Sequence, residues 1–250
     1  MIVVAFGGGV NSSALLIEAN NRGYSIDRIL FADTGGERPD THVHIKRMSD
    51  WSKAHNQPGI ERVAFVDKSG KEVTLENRCL EQKMLPSLAY GFKKCSLRFK
   101  RSPQDKRMNS DPRAKAIWQA GGKVEKWLGI DADESHRAKI FEDKKYTYRY
   151  PLVEWDLGRE ECREIIAAAG LEIPKKSSCF FCPASKLDEI RQLQRCHPDL
   201  LARALALEAN AETRTVKGLG RRIAWKTIID SDESQIRLFP SSIACNCYDG

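Results

Sequence analysis

No stretch of the 250-residue sequence approaches the run of about 18 apolar residues that a membrane-spanning helix needs. Residues 1–6 are apolar but lack the basic flank of an export signal. The sequence also has no internal repeat and no low-complexity segment, and its glycines and prolines are scattered rather than gathered into a linker. We therefore expect a cytoplasmic globular protein with no membrane partner.

The charge balance is moderately basic, with 41 Lys and Arg against 34 Asp and Glu, a net charge of +7. Such an excess favours polyanionic partners, either nucleotides or nucleic acids. The eight cysteines are not expected to form disulfides in a reducing compartment, so their spacing is better interpreted as metal or sulfur chemistry.

Apolar segments alternate with helical patterns in the first part of the chain. Strands are predicted at residues 2–6, 28–31, 62–66 and 123–130, with helices at 12–21 and 41–55 between them. This alternation predicts an α/β fold with a doubly wound, mostly parallel, Rossmann-like sheet. We expect the sheet to be five-stranded, of which the pattern locates four strands. Its ligand crevice should lie at the carboxyl ends of the strands.

Helical periodicity continues over residues 159–170 and 187–212. We therefore expect two parts, an α/β domain over residues 1–158 and a helical C-terminal part over 159–250 that packs on the same core.

A glycine-rich segment, Gly7-Gly8-Gly9, follows the first strand directly, and Asn11, Ser12 and Ser13 open the next helix. Glycines let the backbone approach an anion closely, and the N–H groups and hydroxyls at a helix N-terminus can bind it. The segment therefore predicts a phosphate site. It fits neither the G-x-G-x-x-G fingerprint nor the G-x-x-x-x-G-K-S/T loop, whose lysine it lacks. A tight strand-to-helix turn with a polar cap is the simpler alternative.

This segment resembles the pyrophosphatase loop (PP-loop), S-G-G-x-D-S, of the adenine nucleotide α-hydrolase-like superfamily. Its members cleave ATP between the α and β phosphates or bind adenylylated sulfate. In this sequence Gly7 replaces the serine and Asn11 replaces the aspartate. The second exchange removes a carboxylate that could help hold Mg²⁺, while the phosphate-binding glycines are kept.

Four further segments are similar, in the same order, to the phosphoadenosine phosphosulfate reductase branch of that superfamily. Pro39 and Thr41 belong to the segment that begins at Asp33, and Pro103 belongs to the segment that begins at Cys95. Asp131, in the segment that begins at Gly129, stands where the branch usually has arginine. The segments are Asp33-Thr34-Gly35 (D-T-G-x-x-x-P-E-T), residues 95–103 (C-x-x-x-x-K-x-x-P), residues 129–135 with Arg137 one position before the final arginine of the pattern (G-x-R-x-x-E-S-x-x-R), and the P-L-x-x-W and C-x-x-C-P pair at 151–155 and 179–183.

The resemblance implies a nucleotide-binding domain with ATP and Mg²⁺ as cofactors. The loop from Gly7 to Ser13 would hold the β and γ phosphates, and Asp33, Thr34 and Gly35 would hold the adenosine. The resemblance adds Gly129, Glu134 and Ser135 to the nucleotide site. It gives Ser12, Arg98, Lys100 and Arg137 catalytic roles, the cations by stabilising charge that develops on the phosphates.

Basic residues are concentrated between positions 93 and 107, where Asp105 is the only acid. This basic rim consists of Lys93, Lys94, Arg98, Lys100, Arg101, Lys106 and Arg107. Solvated surface charges are the ordinary explanation for such residues, but a cluster of this density indicates a nucleic-acid acceptor.

Cys179 and Cys182 form a C-x-x-C turn that suits a tetrahedral metal or a cluster. In adenylylsulfate-reducing relatives, a cysteine pair at the position of Lys94 and Cys95 joins such a turn to hold a 4Fe-4S cluster. The resemblance therefore implies Cys95, Cys179 and Cys182 as ligands, with Cys196 as the fourth or with an open iron. Zn²⁺ is the alternative, with His197 as a possible nitrogen ligand.

Five cysteines lie outside the implied ligand set of Cys95, Cys179 and Cys182, or four if Cys196 joins it. Cys79 and Cys162 lie in helical patterns and are expected to pack as small apolar residues. Cys245 and Cys247, near the end of the sequence, could relay sulfur, although chance placement in a frayed end explains them equally well.

The leading interpretation is an ATP pyrophosphatase or adenylyltransferase that activates a nucleic acid for sulfur incorporation, of the DNA phosphorothioation or tRNA thiolation type. Its sulfur donor would be a cysteine desulfurase or another sulfur carrier. A sulfonucleotide reductase is the second interpretation, but the E-C-G-x-H segment of that branch is missing. A degenerate nucleotide-binding subunit of a modification or defence complex is the third.

Overall fold

The computed structural model describes residues 1–139 and 143–238, and it contains one five-stranded parallel sheet within them. The strand order is β3-β2-β1-β4-β5, and every neighbouring pair runs parallel. The strands are β1 (Ile2–Phe6), β2 (Arg28–Asp33), β3 (Ile60–Ala64), β4 (Val124–Leu128) and β5 (Tyr146–Arg149). The predicted α/β fold with a five-stranded parallel sheet is confirmed.

Eleven α-helices follow or separate these strands in the described ranges, with 3₁₀ turns at Ser87–Tyr90 and Ala132–Arg137 and a π turn at Leu97–Arg101. The helices are α1 (Val10–Asn21), α2 (Pro39–Ala54), α3 (Leu75–Glu81), α4 (Lys94–Ser96), α5 (Ser102–Asn109), α6 (Pro112–Gln119), α7 (Pro151–Glu154), α8 (Arg159–Ala168), α9 (Leu187–Cys196), α10 (Pro198–Asn210) and α11 (Trp225–Leu238). None of the described helices combines the length and the apolarity that crossing a bilayer requires.

The chain forms two compact units. Of the described residues, unit 1 comprises 1–33, 37–66, 99–139 and 143–177, and unit 2 comprises 34–36, 67–98 and 178–238. This division differs from the expected parts 1–158 and 159–250. The reason for the difference in unit 1 is that α8 packs against α1 and buries Cys162 and Ile166 in the same apolar cluster.

Both faces of the sheet in unit 1 are covered, as the apolar sequence of β1 predicts. Val3 and Val4 point to opposite faces because successive side chains alternate along a strand, and both are completely buried. Val4 packs with α1, Trp127 and Ile166, whereas Val3 packs with Leu30, Met108 and Tyr146. Two helical layers therefore enclose the sheet, which confirms the doubly wound architecture.

Unit 2 has an apolar core of its own. Phe180 and Phe181 are buried next to each other in an edge-to-face arrangement with ring centroids 4.7 Å apart. Helix α10 contacts α3, α9 and α11. The carboxylate of Glu208 on α10 accepts hydrogen bonds from the backbone N–H groups of Leu219, Trp225 and Lys226, which secures the start of α11.

The order of the strands places a topological switch point between β1 and β4. Connections from β1 lead to β2 and β3 on one side, and β4 and β5 lie on the other. In open α/β sheets, ligands bind where the order reverses, at the carboxyl ends of the strands. Gly7 follows β1 and Gly129 follows β4, so both predicted motifs lie at this point.

Candidate functional site

The glycine-rich segment forms the tight connection between β1 and α1. Gly8 has a left-handed φ of +75°, a conformation that favours glycine. Gly9 is the N-cap of α1, and its carbonyl accepts the first intrahelical hydrogen bond, from Ser13 N at 3.1 Å. The N–H groups of the first helical turn have no intrahelical acceptors, so the connection presents donors of the kind that bind phosphate.

Two hydroxyls close the first turn of α1. Ser12 Oγ accepts from Gly9 N at 3.3 Å, so it satisfies the N–H of the N-cap residue. Ser13 Oγ lies 2.9 Å from Gly9 O and 2.8 Å from Nε2 of the buried His44. Burial, reinforced by the positive charge of Arg47, lowers the pKa of His44 to about 4. The imidazole is therefore neutral at pH 7 and links α2 to the glycine loop.

Asn11 and Asp131, which differ from the motifs that the sequence resembles, contact each other. Asn11 Nδ2 donates to Asp131 Oδ2 at 2.8 Å, and Asp131 Oδ1 accepts from Glu134 N at 3.0 Å. Arg159, the first residue of α8, donates to Asn11 Oδ1. Asn11 and Asp131 are both at least nine-tenths buried. The amide therefore joins the loop after β4 to the helix after β1.

Gly129 approaches the first turn of α1 more closely than any side chain would allow. A Cβ atom at this position would lie 2.9 Å from Ser12 N and 3.0 Å from Ser12 Cα. Since backbone atoms cannot move aside as a flexible side chain can, only glycine fits. The missing side chain also leaves the Ser12 N–H uncovered. The structure thus gives Gly129 a packing role beside the loop.

The D-T-G segment is held by contacts in each unit. In unit 1, Asp33 at the end of β2 accepts from Arg62 Nε at 2.8 Å and is buried. In unit 2, the Thr34 carbonyl accepts from Leu75 N at 2.8 Å, and Gly35 has a left-handed φ of +73°. A Cβ on Gly35 would lie 2.3 Å from Thr74 Cγ2. The contacts of Asp33 and Gly35 account for the residue types at these two positions, and an adenosine role for all three residues stays a prediction.

Two of the three cations predicted to contact phosphate lie next to carboxylates. Arg137 forms an ion pair with Glu134 within the 3₁₀ turn, and Ser135 of the same turn is exposed. Lys100 Nζ lies 3.7 Å from the buried carboxylate of Glu37. Arg98 is exposed. The catalytic roles of Arg98, Lys100 and Arg137 stay predictions.

The basic rim is not uniform. Arg101 pairs with Asp105 and Asp143, and Arg107 pairs with Glu61, so these guanidinium groups are partly neutralised in unit 1. In unit 2, Lys93 and Lys94 are exposed, and Lys94 Nζ lies 5.6 Å from the centroid of the Phe92 ring. Phe92 is 59% exposed, which is unusual for phenylalanine.

The cysteines predicted as ligands all belong to unit 2. Cys179 Sγ lies 3.0 Å from Thr34 Oγ1, and the turn to Cys182 is closed by a 3.0 Å hydrogen bond from Cys182 N to Cys179 O. Cys95 N donates to Ser87 Oγ at 2.7 Å, and Cys196 ends α9. Across residues 1–139 and 143–238, no three or more His, Cys, Asp or Glu side chains are grouped so as to hold a metal ion.

As placed, the four cysteines Cys95, Cys179, Cys182 and Cys196 therefore do not fit a 4Fe-4S cluster or a zinc ion, and the metal site stays a prediction from the sequence. The six cysteines in the described ranges form no disulfide. Cys79 and Cys162 are buried, and burial raises the pKa of each thiol to about 12, which confirms that they pack as apolar residues. Cys245 and Cys247 lie outside the described residues.

Three side chains around the loop were not singled out by sequence reasoning. His44 lies on α2, Arg159 is the first residue of α8, and Arg38 is the residue that precedes α2. His44 follows Thr41 by three residues and therefore lies on the same face of α2, and this spacing was its only signal in the sequence. Arg159 had no signal, since it lies 148 residues from Asn11 in the sequence.

Comparisons with known proteins find a likeness among solved structures. No family model matches the chain, and no curated protein matches it. The U34-tRNA thiolase NcsA from Methanococcus maripaludis, solved with its 4Fe-4S cluster, is similar in structure with 14% identity and a TM-score of 0.43. The match covers 92% of this chain and 80% of that chain.

Proposed function

We propose that this protein is a PP-loop enzyme of the phosphoadenosine phosphosulfate reductase-like branch, which splits ATP between its α and β phosphates to activate a nucleic acid for sulfur incorporation. The observation that carries this proposal is the Gly7-Gly8-Gly9 connection at the switch point of the sheet. It follows β1, caps α1 and lies beside Gly129 at the end of β4.

The connection suits a polyphosphate for electrostatic reasons. The N-terminus of a 12-residue helix carries partial positive charge, and its first N–H groups point outward toward a bound anion. Ser12 adds a hydroxyl to this turn. In the reaction these donors would bind the β and γ phosphates and stabilise the charge that accumulates on the departing pyrophosphate.

Besides ATP, the acceptor and the sulfur donor, the proposed chemistry needs a thiol as reductant. An oxygen of the acceptor attacks the α phosphorus of ATP, the new O–P bond forms, and the bond from the α phosphorus to the bridging oxygen breaks, which releases pyrophosphate. The terminal sulfur of a persulfide on the donor protein then attacks the activated atom and displaces AMP, which carries the oxygen away. A thiol cleaves the resulting S–S bond, so that one sulfur stays on the acceptor and the donor cysteine forms a disulfide with the attacking thiol. A cysteine desulfurase is the donor class that we propose.

Mg²⁺ is expected with ATP, but the loop offers it no ligand set. Both oxygens of Asp131 accept hydrogen bonds, and Asn11 Oδ1 accepts from Arg159. We assign no step of the reaction to Mg²⁺ or to a metal cluster, and the residues described above act by binding and orienting phosphate groups.

The nucleic-acid acceptor is supported by the exposed surface of unit 2 around Phe92, Lys93 and Lys94. An exposed aromatic ring with cations beside it can stack on an unpaired base while the cations contact the phosphate backbone. This combination favours single-stranded or looped nucleic acid over a rigid duplex.

The test is release of pyrophosphate and AMP from ATP, measured with and without single-stranded DNA, duplex DNA and tRNA. Gly8→Val should abolish release, because Gly8 has a left-handed φ and a Cβ would lie 3.1 Å from Thr41 Cγ2. Gly70→Val is the matched control, since Gly70 shares the positive φ but has open space around it.

The acceptor is tested with a second pair of variants. Replacing Lys93 and Lys94 by glutamine should lower the stimulation by nucleic acid, whereas the same change at the exposed Lys68 and Lys71 of unit 2 should not. Sulfite released from a sulfonucleotide without pyrophosphate would indicate a reductase instead. ATP binding without turnover under every condition would indicate a nucleotide-binding subunit.

A further inference from the structure

A cavity of about 130 Å³ opens in unit 1 beside Gly8, on the side of the loop that faces α2. Its walls come from the loop, from one face of α2 and from the segment after α8. The lining residues are Gly8, Arg38, Asp40, Thr41, Val43, His44, Arg47 and residues 172–176. No residue of the 129–137 segment lines it, so it is separate from the crevice at the β1–β4 switch point.

Arg38 is the unusual member of this lining. It is 94% buried, and its Nε is shielded from solvent without a hydrogen-bond partner among the described residues. A guanidinium N–H that is buried without an acceptor is costly, because its lost hydration is not replaced. An anion in the cavity would supply the acceptor, and planar guanidinium donors match phosphate oxygens well.

The charges around Arg38 also favour an anion. Arg47 pairs with Glu172 at 2.6 Å, and Lys175 pairs with Asp40 at 3.3 Å. The lining contains four cations and two carboxylates, so the cavity has a net charge of +2. This matches a phosphate group, which carries one or two negative charges near pH 7.

The remaining polar groups are compatible with phosphate. His44 is neutral at pH 7 because burial lowers its pKa, and it is fixed by its hydrogen bond to Ser13. Gly8 leaves space at the cavity wall, where a Cβ would crowd Thr41 Cγ2 at 3.1 Å and Ser177 Oγ at 3.4 Å. Arg38 is moreover the N-cap of the 16-residue helix α2, whose dipole adds positive potential at that end.

We propose that this cavity is a second anion site that binds a phosphate group, either from a nucleotide or from the backbone of the nucleic-acid acceptor. The site goes beyond the proposed reaction, because it needs neither cleavage of ATP nor occupation of the switch-point crevice. A phosphate bound there would lie against the same glycine loop and would hold its carrier next to the proposed site of adenylylation.

The test compares the whole protein with Arg38→Met by calorimetric titration of inorganic phosphate and by thermal melting. Methionine has a similar volume without the charge, so the variant should melt at the same or a higher temperature in phosphate-free buffer. Phosphate should raise the melting temperature of the wild type but not of the variant. We expect the phosphate affinity to fall at least tenfold. Arg163→Met, which removes an exposed arginine of α8, is the control.

Lys176→Gln provides a second test of the site in case Arg38→Met does not fold. Lys176 lines the cavity and is exposed, so its replacement should not disturb the fold. It should weaken phosphate binding severalfold, whereas Lys123→Gln at an exposed site elsewhere in unit 1 should not. Equal phosphate affinity in the wild type and both lining variants would overturn the site.

The source of the phosphate is identified by repeating the titrations with ATP and with an oligonucleotide that has a 5′-hydroxyl end. If Arg38→Met lowers the affinity for ATP alone, the phosphate comes from a nucleotide. If it lowers the affinity for the oligonucleotide alone, the phosphate comes from the nucleic-acid backbone. If Arg38→Met changes neither affinity, the proposal is overturned. Phosphate binding without any pyrophosphate release would contradict only the proposed reaction.

Discussion

Replacing Asn11 by aspartate tests the contact between the glycine loop and the β4 loop. In the wild type, Asn11 Nδ2 donates to Asp131 Oδ2 at 2.8 Å, and both residues are at least nine-tenths buried. In Asn11→Asp an oxygen replaces the donor, so two carboxylates would face each other at hydrogen-bond distance. Two carboxylates this close cannot both ionise, and the pair is expected to hold one proton at pH 7.

The cost follows from the pKa that the new aspartate has in the unfolded chain. That pKa is about 3.9, roughly 3 units below pH 7, and each unit corresponds to about 1.4 kcal/mol, so keeping the proton costs up to about 4 kcal/mol. Arg159, which donates to Oδ1 of residue 11, offsets part of this. We expect the free energy of unfolding to fall by about 2–4 kcal/mol at pH 7.

The loss should depend on pH in a definite direction. Because the folded state raises the pKa of the carboxylate pair, the variant loses stability as pH rises above the unfolded pKa. At pH 5 the upper limit is only about 1.5 kcal/mol, since the unfolded aspartate is then about one unit above its pKa.

The assay is urea denaturation of the wild type, Asn11→Asp, Asp131→Asn and the double variant at pH 5 and pH 7. In the double variant, the new amide at position 131 can donate to the new carboxylate at position 11 while its carbonyl still accepts from Glu134 N, so the exchange should restore the pair. We expect the double variant to lie within about 1 kcal/mol of the wild type, with a coupling energy of at least about 2 kcal/mol. Additive losses, or an Asn11→Asp variant as stable as the wild type at pH 7, would refute this reasoning.

Three other predictions concern single positions. Gly129→Ala should lower the free energy of unfolding by about 1–3 kcal/mol and weaken ATP binding, because its Cβ would press on Ser12 N; Gly7→Ala, whose Cβ has only an ordinary 3.8 Å contact, is the comparison in urea melts. Since the pKa of His44 is lowered to about 4, the folded state should lose up to about 3 kcal/mol as pH falls from 6.5 to 4; His44→Gln should lack this component in urea titrations, and a curve identical to the wild type would count against it. Cys162, completely buried with its pKa raised to about 12, should be alkylated by iodoacetamide at pH 8 only as the protein unfolds, and mass spectrometry showing rapid labelling of the native protein would contradict its burial.

Much of the sheet could be predicted because β1, β2 and β4 are buried on both faces. The apolar run of β1 and the glycines after it indicated a strand that ends at a ligand crevice. β5 was not located individually, since Tyr146-Thr147-Tyr148-Arg149 alternates with polar residues at the sheet edge. The two-unit division could not be predicted either, because segments distant in the sequence form unit 2.

The site was predicted at the level of its loops but not of its contacts. The positions of Gly8 and Gly129 follow from local backbone requirements, which a motif records. The hydrogen bond between Asn11 and Asp131 spans 120 residues, and no local pattern reveals it. Sequence reasoning treated these two positions as separate departures from the family pattern, whereas in the structure each residue supplies the other's hydrogen-bond partner.

The metal site is the prediction from the sequence that the structure supports least. Cys95, Cys179, Cys182 and Cys196 are not grouped to hold a metal in the described ranges. Iron, zinc and acid-labile sulfide determinations on anaerobically purified protein decide the question. Stoichiometric iron and sulfide, or zinc, that is lost in Cys182→Ala would support the site, and wild-type protein without any of them would exclude it.

The most direct measurement is a calorimetric titration of ATP and of AMP into the wild type and into a variant with both Gly8→Val and Ser12→Ala. If the loop after β1 binds the polyphosphate, the wild type should bind ATP more tightly than AMP. The variant should lose ATP binding but still show a cooperative thermal unfolding transition. Undiminished ATP affinity in the folded variant would contradict the assignment of the loop.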